Sequence, residues 1–117
     1  QLLEQTPRSA SSMADRVRTL LLLTPIESLT EDVVARRLYV SRRTLARRLA
    51  AEGTGYRQIR EQFLHELARS YLLQANQTVD TVAASLGYHD ASAFRKAFKR
   101  WTGMTPKDFR ARSASAS

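Results

Sequence analysis

Arg43 and Arg47 stand four residues apart in a run that also carries Arg36, Arg37, Arg42 and Arg48. On a helix that spacing puts the Arg43 and Arg47 guanidinium groups on one face. A guanidinium is a planar fork of donors that fits two acceptors at once, such as phosphate oxygens or the O6 and N7 edge of guanine. A second basic run comprises Arg95, Lys96, Lys99, Arg100, Lys107, Arg110 and Arg112. The two windows hold thirteen of nineteen positive charges; eleven acids leave a net charge of +8 and a pI near 10.8. That balance favours a polyanionic partner, either nucleic acid or an anionic membrane surface. On charge alone, ordinary solvated helix faces are an equal reading.

Other chemistries find little to work with. The chain has no cysteine, which excludes disulfides, thiolate metal sites and a cysteine nucleophile. His65 and His89 are isolated from each other and from carboxylates at ligand spacing, so no metal site is expected. His89, Asp90 and Ser92 crowd onto one turn and lack the opposed geometry that a catalytic triad requires. With no glycine-rich phosphate loop and no paired acid and base carboxylates, neither catalytic residues nor a cofactor is expected, and the chain reads as a non-enzyme. The longest apolar run, Leu20 to Leu23, is far too short to span a bilayer, and a cytoplasmic location is the default expectation. The apolar positions are needed internally, which leaves no continuous exposed apolar face for a membrane surface.

The elements that must position the basic residues are helical throughout. Ser11 or Ser12 caps a first helix with Met13, Val17, Leu20 and Leu21 at helical spacing, ending before Pro25. Thr30 caps a second, with Val34, Ala35 and Leu38 facing inward. Ser41 caps a third, with Leu45 and Leu49 inward and Gly53 as its stop. A turn of about three residues between the second and third is the spacing of a helix-turn-helix. From Tyr56 to about Ala75 runs a long helix with Ile59, Phe63, Leu67 and Tyr71 in register, roughly 30 Å at helical rise. Thr78 caps a fifth helix with Val79, Val82, Ala83 and Leu86. Asp90 caps a sixth with Phe94, Ala97, Phe98 and Trp101, closed by Gly103. Thr105 and Pro106 start a short last helix that buries Phe109.

This pattern contains an internal repeat. Val34, Ala35 and Leu38 match Val82, Ala83 and Leu86 at an offset of 48, and Ser41, Leu45 and Leu49 match Asp90, Phe94 and Phe98 at 49. The second turn is one residue longer. A small alanine within the first helix of each pair lets the partner helix cross closely. A duplicated motif with a basic second helix in each copy points to nucleic acid much more strongly than one copy would. The expected fold is all-α, with about seven helices in two helix-turn-helix subdomains joined by a long linker helix. The expected boundaries are a linker over residues 1–11, a first subdomain over 12–55, the linker helix over 56–75, a second subdomain over 76–112 and a disordered tail over 113–117.

The stretch from Ala83 to Arg110, AASLGYHDASAFRKAFKRWTGMTPKDFR, closely resembles the signature of the AraC/XylS transcription regulators. The resemblance extends over Leu29 to Leu49, LTEDVVARRLYVSRRTLARRL, and the connecting helix, so that residues 12 to 111 fall within it. It implies a bacterial regulator that binds double-stranded promoter DNA and activates through RNA polymerase. The wording around Leu67 to Leu72 is similar to that of members with an effector-sensing domain upstream, so residues 1–11 would join to such a domain and any effector would bind there. The resemblance further implies that positions 43, 46 and 47, here Arg43, Ala46 and Arg47, point towards bases. In the second unit the corresponding set is Ala91, Ser92, Arg95 and Lys96. Ser41, Thr44, Arg48, Lys99 and Arg100 are the expected phosphate partners. Arg36 and Arg37, on the supporting helix, read as solvated surface. The sequence departs from the usual pattern at Leu64, where arginine is frequent, at Ala91, which replaces a commoner polar residue, and at Tyr39, where glycine is frequent. Those departures put individual contacts in question and leave the fold as expected. The competing reading is a non-specific architectural DNA-binding protein that uses the same charge.

Overall fold

Six of the seven α-helices among the described residues begin where a short polar side chain satisfies an amide that the first turn leaves without a partner. In the computed structural model, which describes residues 12–74 and 76–116, Ser12 accepts from the Asp15 amide at 3.1 Å and starts α1, Met13–Leu23. Thr30 accepts from Val33 at 3.2 Å and starts α2, Glu31–Arg37, and Ser41 accepts from Thr44 at 3.0 Å to start α3, Arg42–Ala51. The long helix α4, Tyr56–Leu72, follows. Thr78, Asp90 and Thr105 then cap α5, Val79–Ser85, α6, Ala91–Thr102, and α7, Pro106–Ala116, accepting from Thr81, Ala93 and Asp108. Among the described residues there are seven α-helices, one short 3-10 turn at Ile26–Ser28 and no strand, the all-α fold expected.

The chain divides into two compact units, with the division inside α4 between Phe63 and Leu64. In the first unit Val17, Leu21, Val34, Ala35, Leu45 and Leu49 form a dry core, and Tyr56 and Ile59 from α4 join it. The start of α1 is tied to the end of α3: the two carboxylate oxygens of Glu52 accept from the Met13 and Ala14 amides, each at 2.9 Å. In the second unit the core is Leu64, Ala68, Leu72, Val82, Ala83, Leu86, Phe94, Ala97 and Phe98. Phe94 and Phe98 lie tilted with centroids 5.8 Å apart, and Phe109 meets Phe98 edge-on at 5.5 Å. The Arg110 Nε donates to the Leu72 carbonyl at 2.7 Å, which fastens α7 to the end of α4.

The helix ends repeat one backbone solution. Tyr39 and Val40 donate to the carbonyls of Arg36 and Ala35, and Gly87 and Tyr88 donate to those of Ala84 and Ala83, at 3.0 to 3.1 Å. This double bond pattern requires a left-handed residue, which is Gly87 (φ 83°) in the second unit but Tyr39 (φ 62°) in the first. A side chain in that conformation costs roughly 1 kcal/mol relative to glycine. Gly53 and Gly103 take the same conformation after α3 and α6.

Several features differ from the sequence-based expectation. The connecting helix ends at Leu72, and Gln74 donates to the Tyr71 carbonyl three residues back instead of four; Ala75, the expected end, lies outside the described residues. Its fully buried line in the second unit is Leu64, Ala68 and Leu72; Leu67 and Tyr71 flank it half-buried, as Phe63 does in the first. The final helix continues to Ala116 through residues 113–116, where a tail was expected. Trp101 and Phe109 are half-buried, not sealed in the core, while Leu64 replaces the frequent arginine by entering it. The linker expected over residues 1–11 lies outside the described residues.

Because Phe94 is fully buried between Tyr88 and Phe98, Phe94→Ala should destabilise the chain by about 3 to 5 kcal/mol in urea denaturation. A variant with the parent's midpoint would show that the second unit's core is held elsewhere.

Candidate nucleic-acid interface

The reading helix of a helix-turn-helix must keep one face in its own core and offer the other to a groove. In α3, Leu45 and Leu49 are both 0% exposed, and Arg43, Ala46 and Arg47 all face solvent. At about 100° per residue these three share one side of the helix, turned well away from the leucines. In α6, Phe94 and Phe98 are likewise 0% exposed, while Ser92, Arg95, Lys96 and Lys99 form the exposed face. Neither α3 nor α6 contains an acidic residue, so no cation on either helix is neutralised by a carboxylate of its own helix.

The repeat offset aligns the two faces residue by residue. Arg43, Ala46 and Arg47 correspond to Ser92, Arg95 and Lys96 at an offset of 49. Ala91 corresponds to Arg42, is half-buried, and lies roughly a quarter turn from the centre of the exposed face. Arg42 itself spans the two helices of its motif, with Nε 3.6 Å from Asp32 and Nη2 3.9 Å from Glu31. Those carboxylates sit in the first turn of α2, where the helix dipole favours them, and Arg42 links them to the first turn of α3. The second unit has Ala91 in that place and lacks the link. Sequence reasoning had not singled out this role for Arg42, because the pairing depends on how the two helices cross.

The expected phosphate partners occupy less uniform settings. Arg48, Lys99 and Arg100 are exposed. Ser41 is exposed, but its hydroxyl accepts from the Thr44 amide and donates to the Thr44 hydroxyl, both at 3.0 Å, so it serves first as a cap. Thr44 is half-buried and engaged in that same pair. Tyr39, in the turn between α2 and α3, is 93% exposed. Among the described residues no cluster of three or more His, Cys, Asp or Glu could hold a metal ion, and no helix is long and apolar enough to cross a membrane.

One titratable group lies directly beneath the second reading helix. His65 stacks on Trp101 with centroids 5.5 Å apart and meets the edge of Phe98, and its Nε2 is buried without a hydrogen-bond partner. Burial lowers its pKa below the ordinary 6.5, the positive charge of Arg69 lowers it further, and Glu66 opposes the shift. Arg69 also lies over the Phe109 ring at 5.7 Å.

Comparison with known proteins agrees with this geometry. A family model described as a helix-turn-helix domain matches residues 34–112. The ornithine utilization regulator of Pseudomonas aeruginosa is 40% identical over 95 residues, which span 81% of this chain and 28% of that protein. A DNA-binding transcriptional dual regulator from Escherichia coli K-12 has a solved structure similar at TM-score 0.84 and 30% identity, covering 89% of this chain and 94% of that one. The DNA-binding domain of AdpA, a global transcriptional factor solved in complex with a target DNA, is similar at TM-score 0.76 and 28% identity, with coverages of 91% and 96%.

The His65 setting gives a signed pH dependence. A histidine held neutral in the fold contributes its full stability above the unfolded pKa near 6.5. The contribution is lost as pH falls towards the lower folded value, because the unfolded chain takes up the proton first. Between pH 7 and pH 5 the parent's melting temperature should therefore fall more steeply than that of His65→Phe. Parallel slopes would mean that the ring titrates alike in both states.

Proposed function

The chain belongs to the AraC/XylS family of transcriptional regulators, and from that membership we propose that it binds double-stranded promoter DNA sequence-specifically, with its two helix-turn-helix units in successive major grooves. The observation that carries this reading is the duplicated, acid-free basic face, Arg43, Ala46 and Arg47 on α3 and Ser92, Arg95, Lys96 and Lys99 on α6. A major groove admits one α-helix, and entries on one side of a duplex recur about 34 Å apart. The 17 residues of α4 rise about 25 Å, within one helix diameter of that spacing.

Within this proposal Arg43 and Arg47 read guanine through O6 and N7, each providing about 1 to 3 kcal/mol of discrimination. Arg95 and Lys96 read bases in the second unit, with Ser92 as the polar contact. Ala46 and Ala91 supply only apolar contact, such as to a thymine methyl. Arg48, Lys99 and Arg100 neutralise phosphates and set register, and Ser41 and Thr44 add hydroxyl contacts beside their capping roles. Regulation at the promoter proceeds through RNA polymerase, with any effector bound by a domain outside this chain; the residues matched span only 28% of the ornithine utilization regulator.

Selection from random duplex DNA should return two half-motifs about one helical turn apart. Arg43→Ala or Arg47→Ala should relax preference at particular base pairs of one half-motif, whereas Lys99→Ala should weaken all sequences alike and lower the salt slope by about 1. Equal affinity of the parent for selected and scrambled DNA at fixed salt would favour a non-specific architectural protein instead.

A further inference from the structure

Tyr39 carries a local cost that nothing in its own unit offsets. Among the described residues it is the only one other than glycine with a left-handed backbone, at φ 62°. The bond pattern that ends α2 needs a left-handed residue there but no side chain, and Gly87 meets the same need at the end of α5 with φ 83°. Glycine adopts that conformation freely, whereas the tyrosine Cβ is crowded against the chain. The side chain gives the free fold nothing in return. It is 93% exposed, and among the described residues its hydroxyl has no hydrogen bond and its ring meets no other ring. A lone exposed aromatic is ordinary on a protein surface, but a strained residue with no supporting contact points to a role outside the free fold.

The internal repeat acts as a control. At the offset of 48, Tyr39 and Val40 correspond to Gly87 and Tyr88. In the second unit glycine takes the strained position and the tyrosine after it packs inward, its ring centroid 5.5 Å from that of Phe94. In the first unit Val40 packs against the core, and the tyrosine holds the strained, exposed position. Neither packing nor turn geometry therefore calls for an aromatic at 39.

The surroundings select the partner. Tyr39 stands two residues before Ser41, the cap of α3, so the two Cα atoms are at most about 7.6 Å apart. Four exposed arginines, Arg36, Arg37, Arg42 and Arg43, lie within four residues of it. That charge favours a polyanion. A tyrosine offers an apolar ring and a hydroxyl at its tip, which match a deoxyribose and the phosphate beside it.

We propose that Tyr39 is a DNA-positioning residue: its hydroxyl donates to a backbone phosphate at the edge of the groove that α3 enters, and its ring packs on the adjoining sugar. The contact carries no base information. It sets the depth and angle of α3, and so brings Arg43 and Arg47 to the base edges. With glycine at the matching place, the second unit has no counterpart and is seated less firmly. The inference rests on the reading of the chain as a promoter-binding regulator.

Tyr39→Gly and Tyr39→Phe are compared with the parent on a selected site. Affinity should fall about tenfold for Tyr39→Gly and about threefold for Tyr39→Phe. Base preference should not change, and neither should the salt slope, because a neutral hydroxyl releases no counterion. Tyr39→Gly should melt at or above the parent's temperature, since it relieves the strain. A series of duplexes, each with one neutral methylphosphonate in the backbone, then locates the contact. One position in the half-motif whose preference Arg43→Ala relaxes should weaken the parent and leave Tyr39→Phe unaffected. Parent-like affinity of Tyr39→Gly, or methylphosphonates that act alike on parent and Tyr39→Phe at every position, would overturn the proposal. A changed base preference in Tyr39→Phe would also overturn it, by making the hydroxyl a base reader, as would a lower melting temperature of Tyr39→Gly, by placing the role of the side chain in the fold. Equal affinity of the parent for selected and scrambled DNA would contradict the promoter-binding reading itself, while the phosphate contact stays measurable on either duplex, which separates the two failures.

Discussion

A short helix can be strongly basic and still be held in one orientation only if a small part of it is buried well enough to outweigh the repulsion and flexibility of the rest. In this chain that part is two side chains per reading helix, Leu45 and Leu49 in α3 and Phe94 and Phe98 in α6, all with no exposed surface. Each such burial stabilises by about 1.5 to 3 kcal/mol. In the supporting helices, Ala35 of α2 and Ala83 of α5 are buried at 2% and 1% exposure, small side chains that leave room for each unit's own core. With those lines fixed inward, helical geometry leaves Arg43 and Arg47, and Arg95 and Lys96, no option but solvent. The basic face is thus a consequence of the core, and any loosening of the core would be read as a loss of direction at the face.

The two units reach the same geometry with different local chemistry. The turn after α2 uses Tyr39 in a left-handed conformation where the turn after α5 uses glycine, so the first unit carries strain that the second does not. It also has two devices that the second lacks, the Arg42 link between α2 and α3 and the Glu52 carboxylate that anchors the start of α1. The second unit relies more on aromatic packing, with Phe94, Trp101 and Phe109 each against Phe98 and His65 stacked on Trp101. One unit is braced by charge and the other by rings, and the ring-braced unit holds His65, whose pKa burial lowers, under α6.

Much of this was legible in the residues because it is local or periodic. A capping side chain acts within three residues, and Ser12, Thr30, Ser41, Thr78, Asp90 and Thr105 all start the helices their chemistry suggests. The inward lines of the two motifs followed from helical spacing, and the repeat made them mutually consistent. What the residues concealed is long-range. Nothing near Glu52 marks it as the partner of amides 38 and 39 positions earlier, and nothing near Arg110 indicates the Leu72 carbonyl, 38 positions away. The buried line of α4 was hidden for another reason: Ala68 contributes little to a hydrophobic pattern, and large half-buried neighbours such as Phe63 and Tyr71 dominate the period instead. For the candidate interface, residue types and spacing indicated the exposed faces, but the offset position of Ala91 and the engagement of Arg42 depend on helix crossing, which spacing does not encode.

The central proposal is that the two basic faces engage one duplex simultaneously, joined by α4. It is tested most directly by measuring affinity for a selected site whose half-motifs are moved apart by about five base pairs, half a helical turn, which puts them on opposite sides of the DNA. The account predicts that affinity falls to that of a single half-motif and recovers only at the original spacing. Affinity that ignores the insertion would contradict it.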